Sequence, residues 1–402
     1  MLMKEDEHMQ TTMQNDANID RMTRLIATMQ LEIDKQRLPG AVVMVVQGGK
    51  QLVFEALGQQ NPNEGTAMAL DSIFRIYSMT KPIVSVAVMM LMEQGKLLLN
   101  DSVSKYLPEF SKQRVAFESN GEVSYVSTKN DATIQDLLRH TSGLTYEFLG
   151  NTAVQKAYRS SKIGMSLRDA NNAEFSRILA ALPLQFEPST AWEYSRATDV
   201  LGALVEVVSG QKLSEFLQQH IFTPLGMLET GFSVPEEKHH RIAEPFKKDP
   251  DGGIQLKMIN IHTPPLFESG GGGLASTAAD YARFLQFMLN KGELNGVRLL
   301  SSHTVQMMTA DHLGSIPVNR AGASGELLSP GHGFGLGFAI RKEAGISSVL
   351  GSAGLYYWGG IAGTSFFVDP ALDMFAIMMI QAPNQRDYYR PLFRNLVYAA
   401  LA

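Results

Sequence analysis

The hydrophobic positions near the start of the chain follow a helical period. From residue 22 to residue 33, apolar side chains recur three and four positions apart, and Pro39-Gly40 then ends the pattern. This spacing predicts an amphipathic helix. The apolar runs at 41–46 and 52–56 are separated by Gly48-Gly49, which predicts a strand, a tight turn and a second strand. Because the first strand is apolar on both faces, we expect it to be central or covered by helices.

The middle of the chain, residues 75–274, reads mainly as helix and loop. Helices with clear start and stop signals are predicted from Thr133 to about Gly143 and from about Leu201 to Gly210. A further helix, just beyond this region, begins at Thr277 and ends at Gly292. The dipeptide Asn120-Gly121 favours a primed turn, which predicts a small hairpin.

The last part of the chain returns to a strand pattern. Apolar runs at 335–340, 363–368 and 374–380 predict strands, with Asp369-Pro370 as the turn between the last two. A final amphipathic helix is predicted from about Tyr389 to Leu401. Strands at both ends with helices between them predict an α/β protein of the α+β kind, in which one sheet is built from both chain ends and carries a helical insertion.

Composition and charge exclude several classes of function. The net charge is −5 and no basic stripe is present, which argues against nucleic-acid binding. The chain has no cysteine, which excludes disulfides, thiolate metal sites and a cysteine nucleophile. The polar, acidic first twenty residues lack the apolar core of a secretory signal, and no window approaches the ~18 apolar residues of a membrane span. We therefore expect a cytoplasmic protein without a membrane span.

The tetrad Ser78-Met79-Thr80-Lys81 is the strongest candidate for chemistry. A serine hydroxyl needs a base to take its proton, and a lysine three residues later on a helix lies on the same face, within reach of that hydroxyl. Pro82 is tolerated only in a first helical turn, so Ser78 should lie at a helix start, where free N–H groups favour developing anions. The apolar run 83–92 predicts a buried helix, and burial lowers the pKa of a lysine at its mouth towards ~7–8.

Taken alone, the Ser-x-x-Lys pattern is a weak signal. It occurs again at Ser102 to Lys105 and at Ser209 to Lys212, but neither pair precedes a buried helix, so both are interpreted as surface segments. The structural alternative for Ser78 is an ordinary helix N-cap with a solvated lysine.

Two further segments are candidates for parts of an active site. Tyr194 lies where a loop enters a helix and could relay a proton between Ser78, Lys81 and a leaving group; beside a cationic lysine its phenol would ionise more readily. The alternative is a half-buried tyrosine with a bonded hydroxyl. The segment Trp358-Gly359-Gly360-Ile361 enters a strand, where glycines allow a ligand to approach and a free N–H could complete an oxyanion hole with Ser78. Its alternative is a glycine-rich turn.

These three segments, in this order and spacing, resemble the serine β-lactamase and penicillin-binding-protein fold. The resemblance is strongest to the class C β-lactamases and the family VIII carboxylesterases, and it runs from about residue 24 to the end. It is supported by the segments 137–144, 194–202, 271–277 and 358–370, which read LLRHTSGL, YSRATDVLG, GGGLAST and WGGIAGTSFFVDP.

The resemblance implies a role for each matching residue. Ser78 would be the acylated nucleophile, Lys81 its proton acceptor and Tyr194 the acid/base partner, while the N–H groups of Ser78 and Ile361 would hold the oxyanion. It also implies an antiparallel sheet flanked by helices and an active site at a domain interface. The corresponding domains are a polar tail (1–21), a discontinuous α/β domain (22–74 and 275–402) and a mainly helical inserted domain (75–274).

Two departures from the family pattern favour ester substrates. Arg196 replaces the asparagine of Tyr-x-Asn, and Trp358-Gly359-Gly360 replaces Lys-Thr-Gly. The lost lysine and threonine normally help to hold a substrate carboxylate, which a neutral ester does not require. Trp358 is expected to offer a flat apolar wall, and the esterase branch commonly shows this Trp-Gly-Gly.

The sequence therefore predicts a serine carboxylesterase for small-molecule esters of short to medium acyl chain, with β-lactams as secondary substrates. No cofactor or metal is expected, and neither the oligomeric state nor the physiological substrate is indicated. The alternatives are a β-lactamase or D-amino-acid peptidase, and then a non-catalytic penicillin-binding-like protein. No Gly-x-Ser-x-Gly elbow occurs. His239-His240 is interpreted as a solvated loop, and Gly270 to Gly273 as a pocket-lining loop rather than a phosphate loop.

Overall fold

A computed structural model describes residues 21–119, 122–161, 163, 170–253, 255–319 and 327–401. The strands are β1 Gly40–Gln47, β2 Lys50–Asn61, β3 Thr66–Ala67, β4 Phe74–Arg75, β5 Arg114–Ser119, β6 Glu122–Ser127, β7 Ala275–Ser276, β8 Glu293–Leu294, β9 Val297–Arg298, β10 His332–Phe334, β11 Ala339–Arg341, β12 Tyr356–Gly359, β13 Gly363–Asp369 and β14 Met374–Gln381. The helices are α1 at residues 21–34, α2 Thr80–Glu93, α3 Ile134–Leu138, α4 Ala153–Ser160, α5 Asn172–Ala180, α6 Ala197–Ser209, α7 Leu213–Leu217, α8 Thr223–Leu225, α9 Ala278–Leu289, α10 Ser302–Met308 and α11 Arg386–Ala400.

The main sheet has eight strands in the order β10-β11-β12-β13-β14-β1-β2-β3. Its neighbouring strands are antiparallel, and β1 lies between β14 and β2, with Val42 opposite Met379 on one side and Ala56 on the other. An early and a late part of the chain therefore meet at the centre of the sheet. This confirms the mixed fold with an antiparallel sheet built from both chain ends.

Both faces of the sheet are covered. Ala41 and Val43 point into a core that includes Leu25 of α1 and Phe393 of α11, whereas Val42 points into the larger core on the opposite face. Alternate side chains of a strand point to opposite faces, so an all-apolar strand requires a core on each side. The prediction that β1 is covered on both faces is confirmed.

Helix α2 lies within the larger core. Its residues from Thr80 to Leu91 are all buried, and Pro82 stands in its first turn, where a proline costs no hydrogen bond. A helix that is apolar nearly all round can only be stable inside a core. This burial places the start of α2, and with it Ser78, in a fixed position beside the sheet.

One predicted strand is wrong. The run 335–340 does not form a single strand, because β10 ends at Phe334 and β11 begins at Ala339. The intervening residues make a tight connection in which the Gly335 N–H donates to the Phe338 carbonyl at 2.8 Å and Gly337 adopts φ +99°. Only glycine adopts such a backbone readily, so the apolar run is split into a hairpin.

The other predicted elements agree with the structure. Strands β5 and β6 pair up to Ser119 opposite Glu122, as the Asn120-Gly121 signal predicts, although these two turn residues lie outside the described residues. The division into three sequence domains stays a prediction. Within the described ranges, no helix is long and apolar enough to cross a membrane.

Candidate active site

Ser78 lies in a short 3-10 turn, Tyr77–Met79, that leads directly into α2. Its neighbours Tyr77 and Met79 are buried, while Ser78 itself is partly exposed. Tyr77 adopts φ +44°, an unfavourable conformation for a residue with a bulky side chain. The Tyr77 hydroxyl accepts a hydrogen bond from the Ile259 N–H at 3.1 Å, which holds this strained residue in place. The turn therefore presents the Ser78 hydroxyl while its flanks stay in the core.

Lys81 is buried and points at Ser78. Its Nζ lies 3.3 Å from Ser78 Oγ, 2.7 Å from the Gly271 carbonyl oxygen and 2.9 Å from the Tyr146 hydroxyl. Desolvation lowers the pKa of Lys81 to about 7, although Asp199 raises it; Arg196 lowers it further. A neutral amine has two hydrogens and one lone pair. With the hydrogens given to Gly271 and Tyr146, the lone pair is left for the Ser78 proton.

Tyr194 lies on the other side of the Ser78 hydroxyl. Its O–H donates to Ser78 Oγ at 2.6 Å, and its ring centroid is 4.5 Å from Lys81 Nζ. Burial raises the pKa of the Tyr194 phenol, which outweighs the hydrogen bonds that lower it. The expectation that this phenol ionises more readily is therefore wrong, because desolvation disfavours the phenolate more than its surroundings stabilise it. In the structure the protonated Tyr194 hydroxyl is a hydrogen-bond donor to Ser78.

Trp358 packs against the rings around Tyr194, and its expected role as a flat apolar wall stays a prediction. Its side chain is packed into the core, with the residue only 5% exposed, and its ring lies 5.2 Å from the Tyr194 ring and 5.4 Å from the Phe334 ring. The indole N–H donates to the Tyr194 hydroxyl at 3.4 Å. The tryptophan thus orients the phenol so that it can accept from the indole and donate to Ser78 at the same time.

The segment after Trp358 closes against the turn that carries Ser78. A Cβ on Gly360 would lie 2.5 Å from the Ile76 carbonyl oxygen, so only glycine fits between β12 and this turn. The Gly360 N–H donates to the Thr364 carbonyl at 2.8 Å, and the Gly363 N–H donates to the Gly360 carbonyl at 3.0 Å. Among the described residues nothing accepts from the Ile361 N–H between them. This leaves a donor free near the start of α2, as an oxyanion hole requires.

The structure brings two further residues to Lys81: Tyr146, which the sequence analysis did not single out, and Gly271, which it assigned only to a pocket-lining loop. Tyr146 supplies the hydroxyl beside Lys81, and its ring lies 5.1 Å from the Tyr194 ring. Gly271 supplies the carbonyl that accepts from Lys81. Tyr146 follows the HTSG segment by only three residues, which is the one local signal for it. The loop containing Gly271 was predicted to line a pocket, and the Gly271 carbonyl also accepts a hydrogen bond from Lys81.

Behind Lys81 lies a buried ionic network centred on Arg196. The guanidinium bonds to both carboxylate oxygens of Glu147, at 3.2 and 2.5 Å, and to Asp199 Oδ2 at 3.3 Å. The Asp199 carboxylate also accepts from Ser269 Oγ at 2.6 Å and from the Gly271 N–H at 2.8 Å. The Arg196 guanidinium is therefore bonded to these two carboxylates, and Asp199 in turn holds the loop whose Gly271 carbonyl accepts from Lys81.

The remaining candidates lie away from this centre. Lys105 of one further Ser-x-x-Lys pair ends a short 3-10 turn, and Lys212 of the other is the N-cap residue of α7; both lysines are exposed, unlike Lys81. His239 lies in the 3-10 turn Glu236–Arg241, where its ring meets that of His262 at 4.4 Å. In the part of the chain that the structure describes, no group of three histidine, aspartate or glutamate side chains is arranged to hold a metal.

Comparison with known proteins places this geometry in a family. The Beta-lactamase family profile matches residues 7–399. Protein Rv1367c of Mycobacterium tuberculosis is 34% identical over 354 residues, covering 87% of each chain. Esterase EstB of Burkholderia gladioli is 33% identical over 396 residues, covering 94% of this chain and 95% of EstB. The solved structure of EstCE1, described as a hydrolase with promiscuous acyltransferase activity, superposes with a TM-score of 0.79 at 27% identity, covering 96% of this chain and 99% of EstCE1.

These matches confirm the fold and the family that the sequence motifs predict. They extend over nearly the whole chain, so the resemblance is not confined to the segments around Ser78, Tyr194 and Trp358. The chain therefore belongs to the beta-lactamase family, and it is a hydrolase.

Proposed function

We propose that the protein is a serine carboxylesterase of the family VIII type, acting through an acyl-enzyme on Ser78. The observation that carries this proposal is the position of Ser78 Oγ between two groups of opposite character. On one side, 3.3 Å away, is an amine whose pKa is lowered to about 7; on the other, 2.6 Å away, is a phenol whose pKa is raised. A base and an acid on either side of one nucleophile is the arrangement that acyl transfer requires.

The lowered pKa assigns the base. Near neutral pH a substantial fraction of Lys81 is uncharged, and its lone pair takes the Ser78 proton as Oγ bonds to the ester carbonyl carbon. The carbonyl electrons move to oxygen, which the N–H groups of Ser78 and Ile361 receive. When the carbon–alkoxide bond breaks, Tyr194 gives its proton to the departing alcohol, and the proton held by Lys81 restores the phenol. Water then releases the acid from Ser78 by the reverse use of the same groups.

The surroundings favour neutral esters. Arg196, at the position where the lactamases carry an asparagine, is fully engaged with Glu147 and Asp199 and cannot bind a substrate carboxylate. The strand carries Trp358 and Gly359 where the lactamases carry a cation and a hydroxyl. We infer short to medium acyl chains as the main substrates and β-lactams as secondary ones. The similarity to Esterase EstB supports this reading.

The test is a set of time courses with p-nitrophenyl acetate, butyrate and octanoate. Ser78→Ala should abolish turnover and Lys81→Ala should be nearly as damaging, whereas Tyr194→Phe should lower kcat by more than about tenfold, since general acid/base catalysis contributes ~10²–10⁴-fold. A cephalosporin assayed in parallel should be turned over more slowly than butyrate. Full activity in Ser78→Ala would disprove the mechanism, and faster cephalosporin turnover would favour the β-lactamase alternative.

A further inference from the structure

A guanidinium from the last helix reaches the strand segment that closes the active site. Arg390 of α11 donates from one terminal nitrogen to the Gly360 carbonyl, and the same nitrogen lies 3.2 Å from the Thr364 carbonyl oxygen. Arg390 is half-buried, and its Nε is buried with no hydrogen-bond partner in the described part of the chain. The contacts of this side chain are thus directed at the backbone of one tight turn.

Room for this guanidinium is made by Gly359. A Cβ on Gly359 would lie 2.7 Å from the terminal nitrogen of Arg390 and 2.8 Å from the Thr364 carbonyl oxygen. The two glycines of Trp358-Gly359-Gly360 therefore leave space for different neighbours. Gly359 leaves space for the Arg390 guanidinium, and Gly360 leaves space for the Ile76 carbonyl. A threonine at position 359, as in Lys-Thr-Gly, would occupy the place of the guanidinium.

Arg390 makes no direct ion pair with a carboxylate, although the Asp387 charge acts on it at longer range. Over the described ranges no aspartate or glutamate oxygen comes within ion-pair distance of it. Burial lowers the pKa of Arg390 to about 10, so the side chain is still a cation at neutral pH. A half-buried cation whose hydrogen-bond acceptors are carbonyl oxygens polarises those carbonyls more than a solvated cation would, because water screens its field less completely.

The Gly360 carbonyl and the Ile361 N–H belong to the same peptide group. A charge-assisted hydrogen bond to a peptide oxygen increases the polarity of the N–H at the other end of that group and fixes its orientation. We propose that Arg390 is a positioning residue for the oxyanion hole, which anchors and polarises the Gly360–Ile361 peptide so that its N–H stabilises the oxyanion. This inference rests on the proposed function, since it concerns the donor assigned there.

The strand of this protein lacks the lysine of the Lys-Thr-Gly pattern, and Arg390 of α11 places a cation next to the strand. The lactamase lysine stands on the substrate side of the strand, whereas Arg390 approaches from α11 and contacts the backbone. Because this cation is hydrogen-bonded to the backbone, it stabilises the oxyanion of any acyl group. It does not favour substrates that carry a carboxylate. The arrangement suits an enzyme for neutral substrates.

The test measures how fast Ser78 is phosphonylated by a small alkyl fluorophosphonate. Ser78 Oγ displaces fluoride from phosphorus, its proton passes to Lys81, and the phosphoryl oxygen occupies the oxyanion hole. Arg390→Met should slow this reaction about tenfold, short of the ~10²–10³-fold lost when a whole oxyanion donor is removed. Arg390→Lys, which keeps the charge, should recover a large part of the rate. On p-nitrophenyl butyrate the loss should appear in kcat, with KM changed less than twofold.

Arg394→Met is the matched control. Arg394 lies one turn further along α11 and is also a cation packed against the sheet, but its guanidinium stacks on the Tyr357 ring at 4.3 Å and the Phe367 ring at 5.2 Å. The phosphonylation rate of Arg394→Met should be within twofold of the wild-type rate. Labelling of Arg390→Met at the wild-type rate, or an equal loss in both variants, would overturn the proposal. Wild-type labelling without ester turnover would contradict the proposed function, and the ratio of labelling rates would still decide the role of Arg390.

Discussion

The charge state of Lys81 is decided by residues that are distant in the sequence. Burial favours the neutral amine and Arg196 adds to this effect, whereas the Asp199 carboxylate opposes it. The two residues that take hydrogen bonds from the amine, Tyr146 and Gly271, are 65 and 190 positions away. Local spacing therefore brings Ser78 and Lys81 together, but the charge state of Lys81 is a property of the assembled core.

Activity should rise with pH through the pKa of Lys81. Only the neutral amine accepts the Ser78 proton, and it is the form that predominates above about pH 7. The kcat/KM for p-nitrophenyl butyrate should therefore increase from pH 5.5 to a plateau above pH 8, with a midpoint near 7. His140 does not account for this rise of activity with pH, because burial and the nearby Lys81 hold the pKa of His140 well below its usual value. An activity that is flat across this range, or rises only above pH 9, would contradict Lys81 as the base.

The Trp358 indole N–H should contribute measurably to kcat. Trp358→Phe keeps an aromatic ring but removes the donor to Tyr194; a hydrogen bond is worth ~0.5–1.5 kcal/mol net, so kcat should fall about two- to tenfold. Steady-state kinetics with p-nitrophenyl butyrate measures the change. The other tryptophan, Trp192, is the control, since its indole N–H is buried without an acceptor in the described residues. If Trp192→Phe loses as much kcat as Trp358→Phe, ring packing rather than the hydrogen bond explains the effect.

How much of the site could be predicted depends on how each residue acts. Ser78, Lys81 and Tyr194 stand in short motifs whose order and spacing are visible in the chain, and the structure brings them together. Tyr146 and Arg390 make their contacts with residues that are distant in the sequence, so nothing in the residues around them indicates a partner. Trp358 was noted for its ring, but its indole N–H is what meets the phenol, and orientation cannot be read from a motif.

At the scale of elements, the Asp199 side chain links α6 to the loop that contains Gly270 to Gly273. It is the one described carboxylate that bonds both to Arg196 of the entrance to α6 and to the backbone N–H of Gly271. Because the same loop presents the carbonyl that holds Lys81, the helix and the base are connected through one side chain. The loop is a structural part of the site in addition to a pocket wall.

Removing this carboxylate should destabilise the protein strongly. Asp199→Ala leaves a buried guanidinium with Glu147 alone and a loop N–H without its acceptor; we expect a loss of about 3 kcal/mol in the free energy of unfolding, at the low end of the ~3–5 kcal/mol for broken buried pairs. Urea unfolding measures this. Glu293→Ala, which breaks an exposed pair with Arg298, should cost less than about 1 kcal/mol. Equal losses in the two variants would show that the network does not fasten the loop.

The misassigned strand at 335–340 shows the limit of periodicity at this scale. Its apolar residues are buried, as predicted, but burial does not distinguish a strand from a compact turn. The connection passes close to α2, where a Cβ on Gly337 would lie 2.5 Å from Ser85 Oγ, so only glycine fits at this point of the turn. The neighbouring helix, and not the local sequence, determines the backbone path there.

For the whole molecule, the pattern of strands at both ends was sufficient to predict the sheet. The all-apolar β1 required two covered faces, and α1 and α11 supply one of them. The strand order could not be predicted, because β1 could pair with β14, β13 or a middle strand on hydrophobicity alone. Its register with β14 is set by contacts that no local pattern encodes.

The meeting of early and late chain at the sheet centre has a consequence for synthesis on the ribosome. Glu32 of α1 accepts from the Tyr389 hydroxyl of α11 across 357 residues of chain. At ~5–20 residues per second, the ribosome needs roughly 20–70 s to make that stretch. Throughout this interval β1 can pair with β2 on one side, while its other edge keeps unpaired backbone N–H and C=O groups between two apolar faces, a template for strands of neighbouring nascent chains. Efficient production therefore depends on shielding that edge until β14 is released, and a chaperone that binds extended apolar segments is suited to do so.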